Sequence, residues 1–269
     1  RNIKLKHFLP FDFFKFANTF GSNELKEILD KIKQIEDLLP YSFEIFNLFD
    51  KYMESGGFPK PMFELMEEGL IKEDNYDAIY SWFRGDMLKL GKSEEIAKSL
   101  ILRLMETMTT PVSYNSLGKY VGITHRIVRE YIETLEILFY ADFCYQADMQ
   151  KNLPIFRKEK KIYFLDPFIV KTFEKRIAGK QIIDNSKLAE MILFNMLKRN
   201  SEKVFVIRLN GEIDFLADGK KIELKWSEKA KSRDQTIILN KKELDAKKNI
   251  FPLAFYILYM LKDKEGNFI

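Results

Sequence analysis

The sequence has few of the residues on which covalently bridged and metal-bound scaffolds depend. It contains one cysteine, Cys144, and two histidines, His7 and His125, in 269 residues. A single thiol excludes an intramolecular disulfide, and so few sulfur and imidazole ligands exclude a structural zinc site. The apolar stretch at residues 251–261 is too short to cross a bilayer, and the basic first residues lead into no signal-peptide core. The sequence therefore predicts a cytoplasmic protein without a membrane partner.

The sequence also lacks a large excess of charge of either sign. The chain has 44 Lys and Arg against 40 Asp and Glu, a net charge of +4, with 46% hydrophobic residues. This composition is typical of a folded globular protein. A mildly basic balance does not by itself establish a nucleic-acid partner, so the arrangement of the charges has to decide.

Apolar periodicity and turn residues divide the chain into four regions. Residues 1–23 begin with a short alternating segment around Ile3 and Leu5, which predicts a strand. Residues 24–110 have helical spacing, broken by a turn at Gly56-Gly57-Phe58-Pro59. Residues 111–160 form a compact helical unit followed by a strand, and residues 161–269 mix helices and strands. The predicted fold class is α+β, with several domains.

The third region has the element order of a winged helix-turn-helix. A short helix from Ser113 ends at Gly122, a residue typical of the left-handed end of a helix. Thr124 can cap the next helix, which is predicted to run to about Leu138 and to lead into a strand from Phe139. Helix, tight turn, helix and strand in this order favour a winged helix.

Basic residues gather where such a unit usually meets DNA. They lie at the start of the second helix and in a downstream run where a wing would lie, and the acidic second half of that helix leaves open a role in packing between domains. We expect the basic residues to bind the phosphates of double-stranded DNA rather than to read its sequence. The predicted nucleic-acid-binding residues are His125, Arg126, Arg129, Lys151, Arg157, Lys158, Lys160 and Lys161.

A hairpin in the last region brings two acids together. Asp218-Gly219 predicts a two-residue type I′ loop, which places Ala217 opposite Lys220 and Asp214 opposite Glu223. Opposite residues have Cβ atoms about 5 Å apart, so their two carboxylates repel, and a divalent cation is one way to offset their charge. The alternative is a solvated hairpin face on which Glu and Lys pair.

Together with Glu190 in a largely apolar helix, the sequence Asp214…Glu223-Leu224-Lys225 resembles the PD-(D/E)XK nuclease superfamily. The resemblance implies that Asp214 and Glu223 bind magnesium and that Lys225 and Glu190 are catalytic. Metal-assisted phosphodiester hydrolysis is the chemistry of such a site. The superfamily usually has a helix after the Glu-x-Lys strand. Here a short polar link takes its place, which favours a diverged version and leaves open whether it is active or inactive.

Several further motifs extend the resemblance over nearly the whole chain. In family order they are Leu9-Pro10-Phe11-Asp12-Phe13, Gly56-Gly57-Phe58-Pro59, Arg84-Gly85-Asp86, the winged helix, Tyr163-Phe164-Leu165-Asp166-Pro167 and the acidic hairpin. Together they resemble archaeal and bacterial AAA+ ATPases with a C-terminal domain of unknown function of the DUF4143 type.

This wider resemblance implies a role for each region of the chain. Residues 1–23 would be a remnant of the ATPase core, residues 24–110 a helical lid, residues 111–160 the winged helix and residues 161–269 the nuclease-like domain. ATP would bind only to a core that precedes Arg1.

Three functions remain as hypotheses from the sequence. The first is a DNA-associated part of an AAA+ ATPase, with a nuclease-like domain that either binds or cuts nucleic acid. The second is a non-enzymatic module that binds DNA or protein, and the third is a transcriptional regulator that binds DNA as a dimer. The sequence is compatible with an oligomer.

Overall fold

The protein is an α+β structure, as the sequence predicted. The computed structural model describes residues 9–148, 150–151, 153–208 and 212–262. Within these residues, eleven α-helices accompany an eight-stranded mixed sheet. The strand predicted around Ile3 and Leu5 lies outside the described residues.

The first half of the chain is helical, and most of its helices begin at a side-chain cap. Asp12, Ser22, Ser93, Ser113 and Thr124 each accept a hydrogen bond from a backbone N–H of the first turn, which satisfies one of the donors left free there. The helices are α1 Phe13–Phe20, α2 Asn23–Lys31, α3 Ser42–Ser55, α4 Pro59–Glu68, α5 Glu73–Lys89, α6 Glu94–Thr107, α7 Tyr114–Val121 and α8 His125–Ile137, with a 3-10 helix at Ile35–Tyr41.

The second half alternates strands with three further helices. The strands are β1 Ala141–Asp148, β2 Leu153–Pro154, β3 Lys161–Phe164, β4 Val204–Arg208, β5 Glu212–Ala217, β6 Lys220–Leu224, β7 Thr236–Asn240 and β8 Ile250–Pro252. The helices are α9 Pro167–Phe173, which continues as a π-helical turn at Glu174–Ala178, α10 Asn185–Asn200 and α11 Leu253–Leu261, with a 3-10 helix at Ala246–Lys248.

One strand joins regions that the sequence suggested were separate. β1 pairs antiparallel with β2 and β3, and its Tyr145 and Gln146 pair in parallel with Phe205 and Val206 of β4. The sheet order is β2-β1-β4-β5-β6-β7-β8, with β3 beside β1. The sheet therefore continues across residue 160, where the predicted winged helix ends.

The largest apolar core also extends across the predicted regions. It takes side chains from all four predicted regions, from Phe13 of α1 to Leu261 of α11, and α10 contributes along most of its length. Burying a Leu or Phe side chain contributes about 1.5–3 kcal/mol. Much of the folding free energy therefore depends on contacts between the regions.

Three of the sequence motifs meet at one buried carboxylate. Asp166 caps α9 by accepting from Phe168 N–H at 2.7 Å, and its other oxygen accepts from Gly57 N–H at 2.9 Å. Gly57 in turn accepts from Phe11 N–H through its carbonyl at 2.8 Å. Burial raises the pKa of Asp166 to about 6, and the two N–H donors oppose that rise. This junction fixes the chain start, the turn before α4 and the start of α9 against one another.

Gly57→Ala tests how tightly this junction is built. A Cβ at Gly57 would lie 1.9 Å from the Phe11 carbonyl oxygen, so the backbone would have to move apart. We expect a loss of about 1–3 kcal/mol or more of unfolding free energy, measured by urea denaturation. Gly85→Ala is the matched control, because a Cβ there meets nothing within 4 Å and alanine favours a helix. Equal stabilities of the two variants would contradict the tight junction.

Candidate functional site

Glu190 lies in the interior because α10 is packed on nearly all sides. Asp184 caps this helix, and the residues on both sides of Glu190, Ala189 and Met191, are fully buried. The Glu190 carboxylate lies 3.0 Å from the Lys161 ammonium and accepts from the Tyr163 hydroxyl at 2.6 Å. Both partners come from β3, where side chains two residues apart project from the same face.

Asp214 of β5 pairs with the same ammonium. One of its oxygens lies 3.5 Å from Lys161 Nζ, and the other accepts from Leu224 N–H of β6 at 2.8 Å. The Lys161 side chain is only 1% exposed. Lys161, Tyr163, Glu190 and Asp214 therefore form a buried ion cluster, which we call the acid cluster.

The hairpin that carries Asp214 has the predicted register. Asp218 and Gly219 both have positive φ, at 45° and 82°, and Ala217 pairs with Lys220 and Phe215 with Ile222. This confirms the two-residue loop predicted from Asp218-Gly219. The same register brings Glu223 close to Asp214. Burial raises the pKa of Asp214, and the Glu223 charge adds to that rise.

Glu223 is balanced by two cations of its own. Its side chain is buried, with one oxygen 2.5 Å from Lys225 Nζ and the other 3.3 Å from Arg233 Nη1. Arg233 lies in the link between β6 and β7, and the sequence analysis did not identify it. The repulsion between Asp214 and Glu223 is therefore offset by ammonium and guanidinium groups of the chain itself.

Burial dominates the acid–base properties of the acid cluster. It raises the pKa of Glu190 to about 7, an effect that Asp214 reinforces and Lys161 opposes. Burial also raises the pKa of Asp214, again against the Lys161 charge. An unshifted glutamate titrates near 4.5, so between pH values of about 4.5 and 7 Glu190 is protonated in the folded chain and ionised in the unfolded chain. Through Glu190, stability therefore falls as the pH rises across that window.

The carboxylates are arranged for these cations rather than as a ready metal site. Both oxygens of Asp214 and both of Glu223 already have partners, which are Lys161, Leu224 N–H, Lys225 and Arg233. In the part of the chain that the structure describes, no group of three His, Cys, Asp or Glu side chains could hold a metal ion.

The predicted DNA-contacting residues separate into exposed and buried groups. His125, Arg126 and Arg129 are exposed on α8, with Arg129 paired to Glu133 at 2.6 Å. Lys151, Arg157 and Lys158 are exposed after β1.

The prediction is corrected for Lys160 and Lys161, which are both buried. Lys160 Nζ donates to the Phe156 carbonyl oxygen at 2.9 Å and lies over the Tyr114 and Tyr145 rings, while Lys161 belongs to the acid cluster. Neither ammonium is available to a duplex.

A pattern in the sequence could have revealed this role of Lys161. Lys161-Ile162-Tyr163-Phe164 alternates as a strand, so its two polar side chains share one face. A charged and a phenolic side chain on the same face of an otherwise apolar strand favour a common buried partner, because buried charges are paired. That partner is Glu190, 29 residues later along the chain.

Comparison with known proteins gives one match. The model of a family described as a domain of unknown function, DUF8612, matches residues 46–178. No curated protein and no solved structure matches the chain. The matched segment includes Lys161 and Tyr163 but ends before Glu190, Asp214 and Glu223. Among the described residues, no helix combines the length and apolar character needed to span a membrane.

Lys161→Met tests whether the ammonium holds the acid cluster together. Without it, two buried carboxylates face each other uncompensated, and we expect a loss of about 3–5 kcal/mol of unfolding free energy at pH 8. The loss should be smaller at pH 5, because Glu190 is then protonated. The measurement is urea denaturation at both pH values.

Lys98→Met is the control for this experiment, because it removes the same ammonium from a surface pair with Glu94. It should cost at most about 1 kcal/mol at either pH. Similar losses in the two variants, or a Lys161→Met loss that does not change with pH, would contradict a structural role for the buried ammonium.

Proposed function

We propose that the chain binds double-stranded DNA through a winged helix built from α7, α8 and the β1–β2 hairpin. The observation that carries the proposal is the exposed position of Arg126, at the start of α8, together with Lys151 and Lys158 beside the hairpin. The first turn of a recognition helix and the wing are where winged helices contact the phosphate backbone.

The geometry of the turn supports this assignment. Gly122 ends α7 with φ of 79°, and Thr124 caps α8 by accepting from Ile127 N–H. A Cβ at Gly118 would lie 2.5 Å from the Ile123 carbonyl oxygen, so the two helices are joined as closely as a glycine allows. A short, close turn of this kind is typical of the helix-turn-helix.

The alternative role, in packing between domains, concerns the second half of α8. Glu130 lies 3.5 Å from Lys92, and the Tyr131 hydroxyl accepts from Ser93 N–H at 2.7 Å. These contacts join the second half of α8 to the segment before α6. They leave His125 and Arg126 exposed, which favours DNA as the partner of the basic first turn.

We further propose that α10 and β4–β7 form a nuclease-like unit of an AAA+-type ATPase, in which side-chain cations take the place of magnesium. The support is the order of elements: a helix with an inward glutamate, three antiparallel strands and a fourth strand parallel to the third. The pairing of Asp214 and Glu223 with Lys161, Lys225 and Arg233 favours a unit that binds nucleic acid without cutting it.

DNA binding is tested by fluorescence anisotropy with a labelled duplex over a salt series. Arg126→Gln with Lys158→Gln should weaken binding about tenfold or more and lower the salt slope by about two, because each phosphate contact releases close to one counterion. Lys33→Gln with Lys180→Gln removes the same charge from exposed positions elsewhere and should change little. The proposal fails if the two double variants bind alike.

The proposed replacement of magnesium by side-chain cations is tested by measuring magnesium and manganese binding with calorimetry. We expect no specific binding by the native chain, the Asp214→Ala, Glu223→Ala variant or the Glu228→Ala, Asp234→Ala surface control. Metal binding that disappears only in the Asp214→Ala, Glu223→Ala variant would establish a metal site and overturn the proposed replacement of magnesium by lysine and arginine.

A further inference from the structure

The positive charge of the chain is concentrated in its last strands rather than in the winged helix. Residues 220–248 contain ten Lys or Arg against five Asp or Glu, a formal charge of +5, so the rest of the chain carries −1. Residues 111–160 contain seven against six, and one of the seven, Lys160, is buried. The net positive charge of the chain is therefore carried by the segment around β6 and β7, which favours a polyanion as its partner.

The connection between β6 and β7 carries four of these ten cations. These strands are parallel, so the link Lys225–Gln235 has to return along the length of the sheet, and it does so without a helix. We call this link the crossover loop. Its four cations are Lys225, Lys229, Lys231 and Arg233.

The two ends of the crossover loop are held at one point. Lys225 and Arg233 both pair with Glu223, yet their side chains remain 56% and 37% exposed. The buried Glu223 carboxylate therefore fixes two partly exposed cations on the hairpin that carries Asp214. Cations held in place in this way lose less conformational entropy when they bind a phosphate.

The middle of the loop is fixed by acids that do not mask its lysines. Glu243 accepts from Ala230 N–H at 2.6 Å, and Glu228 pairs with Lys242 at 3.1 Å. Lys229 and Lys231 are exposed and form no ion pair with a described residue. The loop thus presents two cations held together at Glu223 and two further lysines between its ends, an arrangement that suits a polymer better than a single small anion.

We propose that the crossover loop is a second nucleic-acid surface, which binds the phosphate backbone and guides a strand over the hairpin of Asp214 and Glu223. The inference rests on the proposed function in taking nucleic acid as the partner, but the surface is separate from the winged helix. Lys225 and Arg233 provide fixed contacts beside the acid cluster, and Lys229 and Lys231 extend them along the loop.

The test uses the two lysines whose removal leaves no buried acid unpaired. Lys229→Gln with Lys231→Gln is compared with the native chain for binding of a labelled duplex and a labelled single strand over a salt series. We expect affinity about tenfold or more lower near 0.15 M salt, and a salt slope lower by about two for the duplex and somewhat less for the single strand. Lys33→Gln with Lys180→Gln is again the control for net charge, and thermal unfolding confirms that all variants are folded.

The same titrations separate this inference from the proposed function. Loss of binding only in the loop variant supports the second surface and overturns the winged-helix proposal. Loss only in the Arg126→Gln, Lys158→Gln variant does the reverse, and loss in both supports both. Competition by polyglutamate as effective as competition by DNA would show a surface for acidic protein segments and overturn the nucleic-acid inference. No binding to either oligonucleotide at low salt would overturn both.

Discussion

The hydrogen bonds from Gly57 and Phe168 to the buried Asp166 carboxylate are the constraint on which the rest of the structure depends. They join the turn before α4 to the start of α9, and β3 ends two residues before Asp166. Asn195 of α10 then donates to the carbonyls of Phe164 and Leu165 at 2.9 Å. Because β3 and α10 are held together in this way, Lys161 and Tyr163 reach Glu190 on the same helix. The acid cluster thus depends on a junction formed by motifs far apart in the sequence.

The charges of the molecule divide into two kinds with different roles. Lys160 and Lys161 are buried, one over aromatic rings and the other between carboxylates, and both stabilise the fold. Lys229 and Lys231 are exposed and contribute little to folding, so they are available to a partner. A count of basic residues in the sequence cannot separate these two kinds, because the role of each lysine depends on whether the fold buries it.

The sequence predicted the elements that local chemistry determines. Gly122, Thr124 and the Asp218-Gly219 loop each depend on a few neighbouring residues, and the structure has them as expected. Contacts between distant segments were not predictable, since Lys161 meets Glu190 and Asp214 from 29 and 53 residues away. A basic run was therefore assigned to a wing although two of its lysines are buried. The β1–β4 pairing, which joins two predicted domains, was missed for the same reason.

That pairing has a mechanical consequence. β1 is hydrogen-bonded to β2 in the β1–β2 hairpin and also to β4, the strand before the hairpin of Asp214. The β1–β2 hairpin and the strands that follow β4 therefore cannot turn relative to each other without breaking backbone hydrogen bonds. The sheet acts as a rigid spacer, which fixes the distance and angle between the basic start of α8 and the crossover loop. A ligand long enough to touch both would gain the second contact without the entropic cost of closing a linker. A ligand of the wrong curvature would reach only one of them.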